Sequence, residues 1–370
     1  MAELSKAELK LWIYDGDVNS PPENPNYTLT KTKLSTEDII VFEISELIKD
    51  YVDVEFDGDY FSLKQTKFVK STVTRTYDDE TTDSYSEHYI AFRGYGEITD
   101  GINPELSKDL MISNTVINNV CGEPITVPFY TRQDGVTKVS YVQDQTELES
   151  KTLGSAAGYT IAQLTNLAPS SDVVTIDRTA TVTSDSDDST SSTEIPLNTN
   201  KITYTDSKGE SKSILINCID ECRNTPHKIS FINKFGVMQD MWFFARRIDS
   251  MNADRDQYKR TVLKNGDTSA SYNVSDHQRV YLENQGRERM TMNTGFIDES
   301  YNEVIKQLLV SEYVYIHDKD RPSPSNGAAD LAVPINVVTS SLDIKTRRDD
   351  KLINYELEFE MDSEFIQSIR

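Results

Sequence analysis

The plainest pattern in the chain lies towards its C-terminal end. Ile353, Tyr355, Leu357, Phe359 and Met361 alternate with Asn354, Glu356, Glu358 and Glu360. A period of two sends successive side chains to opposite faces, so this segment predicts a strand with one buried face. Residues 341–347 are expected to pair with it as a hairpin across Arg348, Asp349 and Asp350. A helical period appears at 298–311, where Tyr301, Val304, Ile305, Leu308 and Leu309 fall on one apolar stripe. Asp298 is the expected N-cap, and Glu299 stands in the first turn, near the positive end of the helix dipole.

Further strands are predicted at 201–205, 213–218, 227–233, 238–247, 277–282, 288–294, 313–317 and 333–338. Asn233-Lys234-Phe235-Gly236 reverses the chain between two of them, and Gly236 supplies the positive φ such a turn needs. In the strand that follows, Trp242 and Phe244 share one face and Phe243 takes the other. Aromatics on both faces point to a doubly buried core strand. The alternative is that one face meets a neighbouring subunit.

The N-terminal half reads less sharply. Residues 1–10 suggest a polar arm or a first helical turn, and Leu11–Tyr14 a strand. Pro21, Pro22 and Pro25 make 15–30 a loop. Residues 37–52 pass from a β-type run into a short helix that Ser45 can cap. Residues 66–76 and 86–97 form a long hairpin with an acidic tip between its arms. Two or three strands are expected within 112–142. The stretch 144–200 differs in composition, and its acidic Ser/Thr run at 184–193 suggests a solvated excursion whose deletion leaves the fold intact. The pattern therefore predicts a mainly β chain: two β-sandwich-like modules with one or two short packed helices. The expected organisation is an acidic β domain at 1–143 with a projecting hairpin, a loop-rich transition at 144–200, and a β domain with one helix at 201–370.

Composition sharpens this picture. The 370 residues carry a net charge of −23, and residues 1–200 hold 34 Asp and Glu against 15 Lys and Arg. Such a surface repels nucleic acid and anionic membranes, so sequence-specific nucleic-acid binding and membrane binding are not expected. The 19 tyrosines outnumber the 13 phenylalanines, which suits half-wet strands and subunit interfaces. Cys121, Cys218 and Cys222 form no disulfide framework and are expected to be reduced thiols. No signal-like N-terminus and no apolar run of membrane-spanning length is visible, which predicts a soluble chain.

Candidate chemistry is sparse. His88, His227, His277 and His317 form no HExxH pair, and Cys218, Cys222 and His227 lack the fourth ligand of a zinc site. Asp15, Asp17 and Asn19 imitate the start of a calcium loop, but Ser20 stands where glycine is required and Asn26 where the bidentate Glu belongs. Asp57-Gly58-Asp59 is a turn sequence, and Asp318 and Asp320 belong to a loop. No nucleophile elbow, phosphate loop or dinucleotide fingerprint occurs. No cofactor, metal or catalytic residue is therefore expected.

The C-terminal half also carries a resemblance. The order Cys222-Arg-Asn-Thr-Pro226, HKISFINKFGVMQDMWFFARR, MNTGFIDESYNEVIKQLLVSEYVYI and VPINVVTSSLDIKTRRDDKLINYELEFEMD resembles virion structural proteins of tailed phages that infect Bacteroidetes-type hosts. It covers roughly residues 220–362. The resemblance implies a non-catalytic component of a tail, tail tip, baseplate or neck. Such a protein is assembled in the host cytoplasm into an oligomeric ring with copies of itself and other virion proteins. Gly236, Trp242, Phe243, Phe244, Tyr355, Leu357 and Phe359 are the expected structural or interface residues. The alternative is a carbohydrate- or receptor-binding module on the particle that contacts a host-surface glycan, with Trp12 as a candidate; a glycan hydrolase has the least support.

Overall fold

In the computed structural model, the described residues are 3–15, 20–34, 39–54, 56, 58, 66–100, 111–120, 123, 125–128, 136–143, 146–152, 173–176, 201–206, 209–265, 269–318, 331–344 and 352–363. The chain is mainly β, as its patterning predicts.

The first sheet contains β1 (Leu4–Tyr14), β2 (Tyr27–Thr32), β3 (Thr66–Tyr77) and β4 (Thr82–Phe92) in the order β2-β1-β3-β4. All its pairings are antiparallel. β1 begins seven residues before the expected Leu11 and replaces the polar arm. Ala7, Leu9, Leu11 and Ile13 are buried along it, with Lys and Glu between them on the wetter face. β2 replaces part of the expected loop after the last proline, where no ring removes a backbone donor. A short helix, α1 (Ser45–Lys49), covers this sheet by setting Leu47, Ile48 and Tyr51 on Leu11, Ile13 and Val69. Ser45 is the helix's first residue and does not cap it; Ile44 holds the N-cap position, and the Ser45 hydroxyl bonds Glu43 instead. In the β3–β4 hairpin the second arm starts earlier and stops earlier than expected, at 82–92 instead of 86–97, and its tip shrinks to Asp78–Thr81, closed by Tyr77 N donating to Thr81 O at 3.0 Å.

The second sheet joins β5 (Val116–Val120), β7 (Val136–Gln143), β8 (Thr146–Thr152), β10 (Lys201–Asp206) and β11 (Ser211–Ile219), in the order β5-β11-β10-β7-β8. Its β5–β11 pair is parallel. Strands from both sides of the expected transition share this sheet. A separate pair links β6 (Ile125–Pro128) with β9 (Val173–Ile176). The run 184–193 lies outside the described residues.

The third sheet is the largest. It uses β12 (His227–Ile232), β13 (Met238–Phe243), β14 (Arg247–Lys259), β17 (Arg279–Asn293), β19 (Val314–Asp318), β20 (Leu331–Val337) and β22 (Glu356–Met361), in the order β13-β12-β19-β20-β22-β17-β14. Short bridges pair β15 (Lys264–Asn265) with β16 (Ala270–Ser271), and β18 (Ile297–Asp298) with β21 (Leu352–Ile353). The helix α2 (Tyr301–Val310) lays its stripe across one face. Tyr301, Val304, Ile305 and Leu308 meet Ile229, Phe231, Met241, Phe243, Met292, Ile335, Leu357 and Phe359 in one buried cluster. Each such side chain contributes about 1.5–3 kcal/mol on burial, so this core dominates the unit's stability.

Three expectations change here. The helix begins at Tyr301 with Ser300 as N-cap, because Asp298 is held in β18, from where its carboxylate accepts Ser300 N at 2.9 Å. The strands expected at 277–282 and 288–294 are one continuous β17, and the strand expected at 238–247 divides into β13 and the start of β14. Among the described residues, 341–344 form no hairpin with 353–361. Both edges of β22 are taken, one by β17 and the other by β20, and Val338 N and Thr339 N already donate to Glu358 O. Residues 341–344 are irregular, and 345–350 lie outside the described residues.

The opposite face of this sheet is half apolar. Val54 and Phe56 cover Ile232, Met238, Tyr315 and Ala332 there. Farther along, Glu360 accepts from Arg289 Nε at 2.6 Å and from Arg287 Nη1 at 3.0 Å. The hydrogen bond from Arg289 is the main reason the Glu360 carboxyl is held below its ordinary value of 4.5. A lowered carboxylate pKa adds stability that is present above the ordinary value and lost as pH falls through the lowered one. Glu360→Gln is therefore expected to be less stable than the wild type near neutrality and to lose that difference under acid. Urea unfolding at a series of pH values checks this; a difference that persists at the acid end would refute it.

Candidate functional site

Three features carry the polar chemistry of the described residues. The first joins buried Ser230 and His317 to half-buried Asp240. Ser230 Oγ donates to Asp240 Oδ1 at 2.5 Å and lies 2.7 Å from His317 Nε2. A hydroxyl has one proton to give. Since Asp240 takes it, His317 Nε2–H donates to the serine oxygen. A nucleophilic serine needs the reverse: its proton goes to histidine, and the carboxylate orients the far ring nitrogen. Ser230 is also fully buried, and the Phe56 ring stands edge-on to His317. The group ties β12, β13 and β19 together across the sheet, a role that no spacing in the sequence reveals.

The second feature is a seam of amides along the open edge of β13. Trp242 Nε1 donates to Asn119 Oδ1 at 2.9 Å, Gln239 Nε2 to Asn114 Oδ1 at 3.1 Å, and Asn118 N to Tyr301 Oη at 2.7 Å. Asn233 is fully buried; its side chain donates to Met111 O and accepts from Phe235 N and Val237 N of its own turn. Burial raises the Tyr301 hydroxyl well above its ordinary pKa, so it remains a neutral partner for Asn118. The seam lines a partly open hollow of about 20 Å³, enough for a water. It fastens the 111–120 segment, and through β5 the second sheet, to the third.

The third feature is a close backbone crossing. Gly236 has φ +78°, as its turn requires, and it packs against Gly94. A Cβ on Gly94 would stand 2.5 Å from Lys234 O, and one on Gly236 would stand 2.5 Å from Gly94 N. Tyr95 N donates to Lys234 O at 2.9 Å. Beside the crossing, Arg93 donates to Val52 O at 2.6 Å and to Glu312 Oε2 at 2.8 Å, and its guanidinium lies over the Tyr313 ring. The Arg93 hydrogen bond holds the Glu312 carboxyl below its ordinary range. This crossing joins the first sheet to the third.

The residues expected to be structural or at an interface are all internal, which favours the structural alternative for them. Trp242, Phe243 and Phe244 are buried, with Phe243 edge-on to Phe359 at 5.8 Å. Tyr355, Leu357 and Phe359 belong to the core beneath α2. Both faces of the aromatic strand are thus filled from within the chain. No group of three His, Cys, Asp or Glu side chains placed to hold a metal occurs among the described residues. Cys222 is an exposed free thiol, and the Asp15 carboxylate pairs with Lys67. Asp17, Asn19, Asp57, Asp59 and Asp320 lie outside the described residues. No described helix is long and apolar enough to cross a membrane.

The surface offers a different candidate. β14 and β17 pair from Arg247 opposite Met292 out to Lys259 opposite Arg279. β22 pairs with β17 only at Arg289–Asn293. Beyond that, 250–259 and 279–288 run as a two-stranded ribbon with no third strand among the described residues. At about 3.4 Å per residue its length is about 30 Å. Met251, Tyr258, Tyr281 and Leu282 are exposed on it, Leu282 at 75%. Leu263, Tyr272 and Val274 are exposed at its tip, Val274 at 91%. Comparison with protein-family models, curated proteins and solved structures finds no match for this chain.

Proposed function

We propose that this chain is a non-catalytic structural component of a tailed-phage virion, in the tail, tail tip, baseplate or neck. It is assembled in the host cytoplasm and held in a ring or layer by contacts between β domains, with copies of itself and other virion proteins as partners. The observation that carries this reading is the projecting ribbon. A two-stranded ribbon alone in water is marginally stable, and this one adds solvent-facing Leu, Met, Tyr and Val side chains. Both facts make sense for an arm that another protein covers. The stretch that resembles virion proteins, 220–362, corresponds to the third sheet, its helix and this arm. The Ser230 group gives a hydrolytic reading no support, because the serine proton is already committed to Asp240.

The test is to locate the chain in purified particles of the phage that encodes it, by mass spectrometry and by reconstruction of the particle. The expected result is a fixed number of copies in a symmetric layer. Absence from the particle, together with substrate turnover by the purified monomer, overturns the reading.

A further inference from the structure

We infer that the 247–289 arm of one copy docks head-to-tail on the acidic body of the next copy of this chain. The inference rests on the structural reading above and names the arm's partner. Charge makes the argument. Residues 247–289 hold eight Lys and Arg against seven Asp and Glu, a net of +1, so the remaining residues carry −24. Two bodies of that charge repel each other when they approach. The arm is a stretch of described surface about 30 Å long and free of net negative charge. Its cations Lys259, Arg260, Lys264 and Arg279 gather where the ribbon meets its tip, and all are exposed.

Apolar surface is concentrated in the same place. Of the 18 exposed large hydrophobic residues among the described ones, eight lie in this arm, where an even spread over the described residues would place about three. The combination of basic and apolar groups at the tip fits an acidic protein surface rather than an anionic polymer, since the arm's own Asp and Glu nearly balance its cations. The receiving surface is drawn from the described acids of the N-terminal half, among them the exposed Asp78, Asp79, Glu80, Asp83 and Glu87 of the β3–β4 hairpin. Arm on body is a heterologous contact, and repeating it generates a ring where the rotation closes.

The test uses the full chain. Sedimentation velocity over a concentration series is expected to show reversible self-association. The double variant Leu282→Ser/Val274→Ser alters side chains that touch water in the isolated chain, so its circular dichroism and melting temperature should match the wild type. Its self-association should weaken by at least about tenfold. Carbodiimide cross-linking of an equal mixture of ¹⁴N- and ¹⁵N-labelled chains should give mixed-isotope links from Lys259 or Lys264 to acids within 1–200. A wild type that remains monomeric at every concentration overturns the inference. So does association that the double variant leaves unchanged, and so do mixed-isotope links that run only from arm to arm. None of these removes the chain from the particle, so a particle in which the arm touches another virion protein would retain the structural reading and discard this one.

Discussion

Leu357→Asp is expected to leave no cooperatively folded protein. Leu357 is fully buried in β22, opposite Met292 of β17 and under the α2 stripe. The change forfeits about 1.5–3 kcal/mol of side-chain burial. It also strands a carboxylate without a cationic partner, at a cost of several kcal/mol more. Together these approach the whole stability of a typical domain, about 5–15 kcal/mol. The cations nearest in the sheet, Arg287 and Arg289, engage Glu360 and Glu358 on the opposite face. Leu357→Met conserves volume and should cost less than about 1.5 kcal/mol. Soluble yield and thermal unfolding by circular dichroism measure both variants. An Asp variant that remains soluble and melts like the wild type would mean that the strand does not sit under the helix.

The same strand shows why some of the fold was readable from sequence. A segment with one wet and one dry face writes its geometry into a period of two, and 353–361 does so plainly. The α2 stripe does the same at 3.6, and Gly236 is forced by a turn that few other residues tolerate. Pairing partners are harder to read. β22 lies between β17 and β20, and the described residues before it, 341–344, pair with neither edge. β14 carries no readable period because neither of its faces in the ribbon is buried; polar and apolar side chains mix freely where both meet water. The element that best supports a function is therefore the one that patterning misses, and the signal available for it is indirect: a 43-residue stretch near neutrality in a chain of net −23.

The polar core was unreadable for a related reason. Asn114, Asn119, Asn233, Gln239 and Gln307 are residues that sequence reasoning assigns to loops and wet faces. Here Asn114, Gln239 and Asn233 link amide to amide, Asn119 accepts from Trp242 and Gln307 donates to Ser113, and hydrogen bonding makes that burial tolerable. Ser230, Asp240 and His317 are separated by up to 87 positions and meet only because β12 lies between β13 and β19. The aromatic strand illustrates the converse: its two aromatic faces predict a doubly buried core strand, and Trp242, Phe243 and Phe244 are buried. Phe243 and Trp242 point to opposite faces, and α2 and the 111–120 segment cover them from within the same chain.

Gly94→Ala is expected to unfasten the first sheet from the third. The added Cβ would stand 2.5 Å from Lys234 O and 2.9 Å from Phe235 C, both backbone atoms that cannot swing away like a side-chain tip. Either the 233–236 turn or the 93–95 strand exit must move, and with it the Tyr95 N to Lys234 O bond and the Arg93 contacts to Val52 and Glu312. Overpacking of this kind costs about 1–3 kcal/mol. Gly236→Ala meets a similar clash and also forces a side chain into φ +78°, so it should cost about 1–2 kcal/mol more. Gly209→Ala separates the two effects: its φ is +83° with nothing within 4 Å of the new Cβ, so it carries the backbone penalty alone. The expected order of destabilisation in urea is Gly236→Ala, then Gly94→Ala, then Gly209→Ala. The Gly94 variant should further expose amides of the first sheet to hydrogen exchange ahead of those beneath α2. Equal costs at Gly94 and Gly209, with uniform exchange protection, would show that the crossing does not join the two sheets.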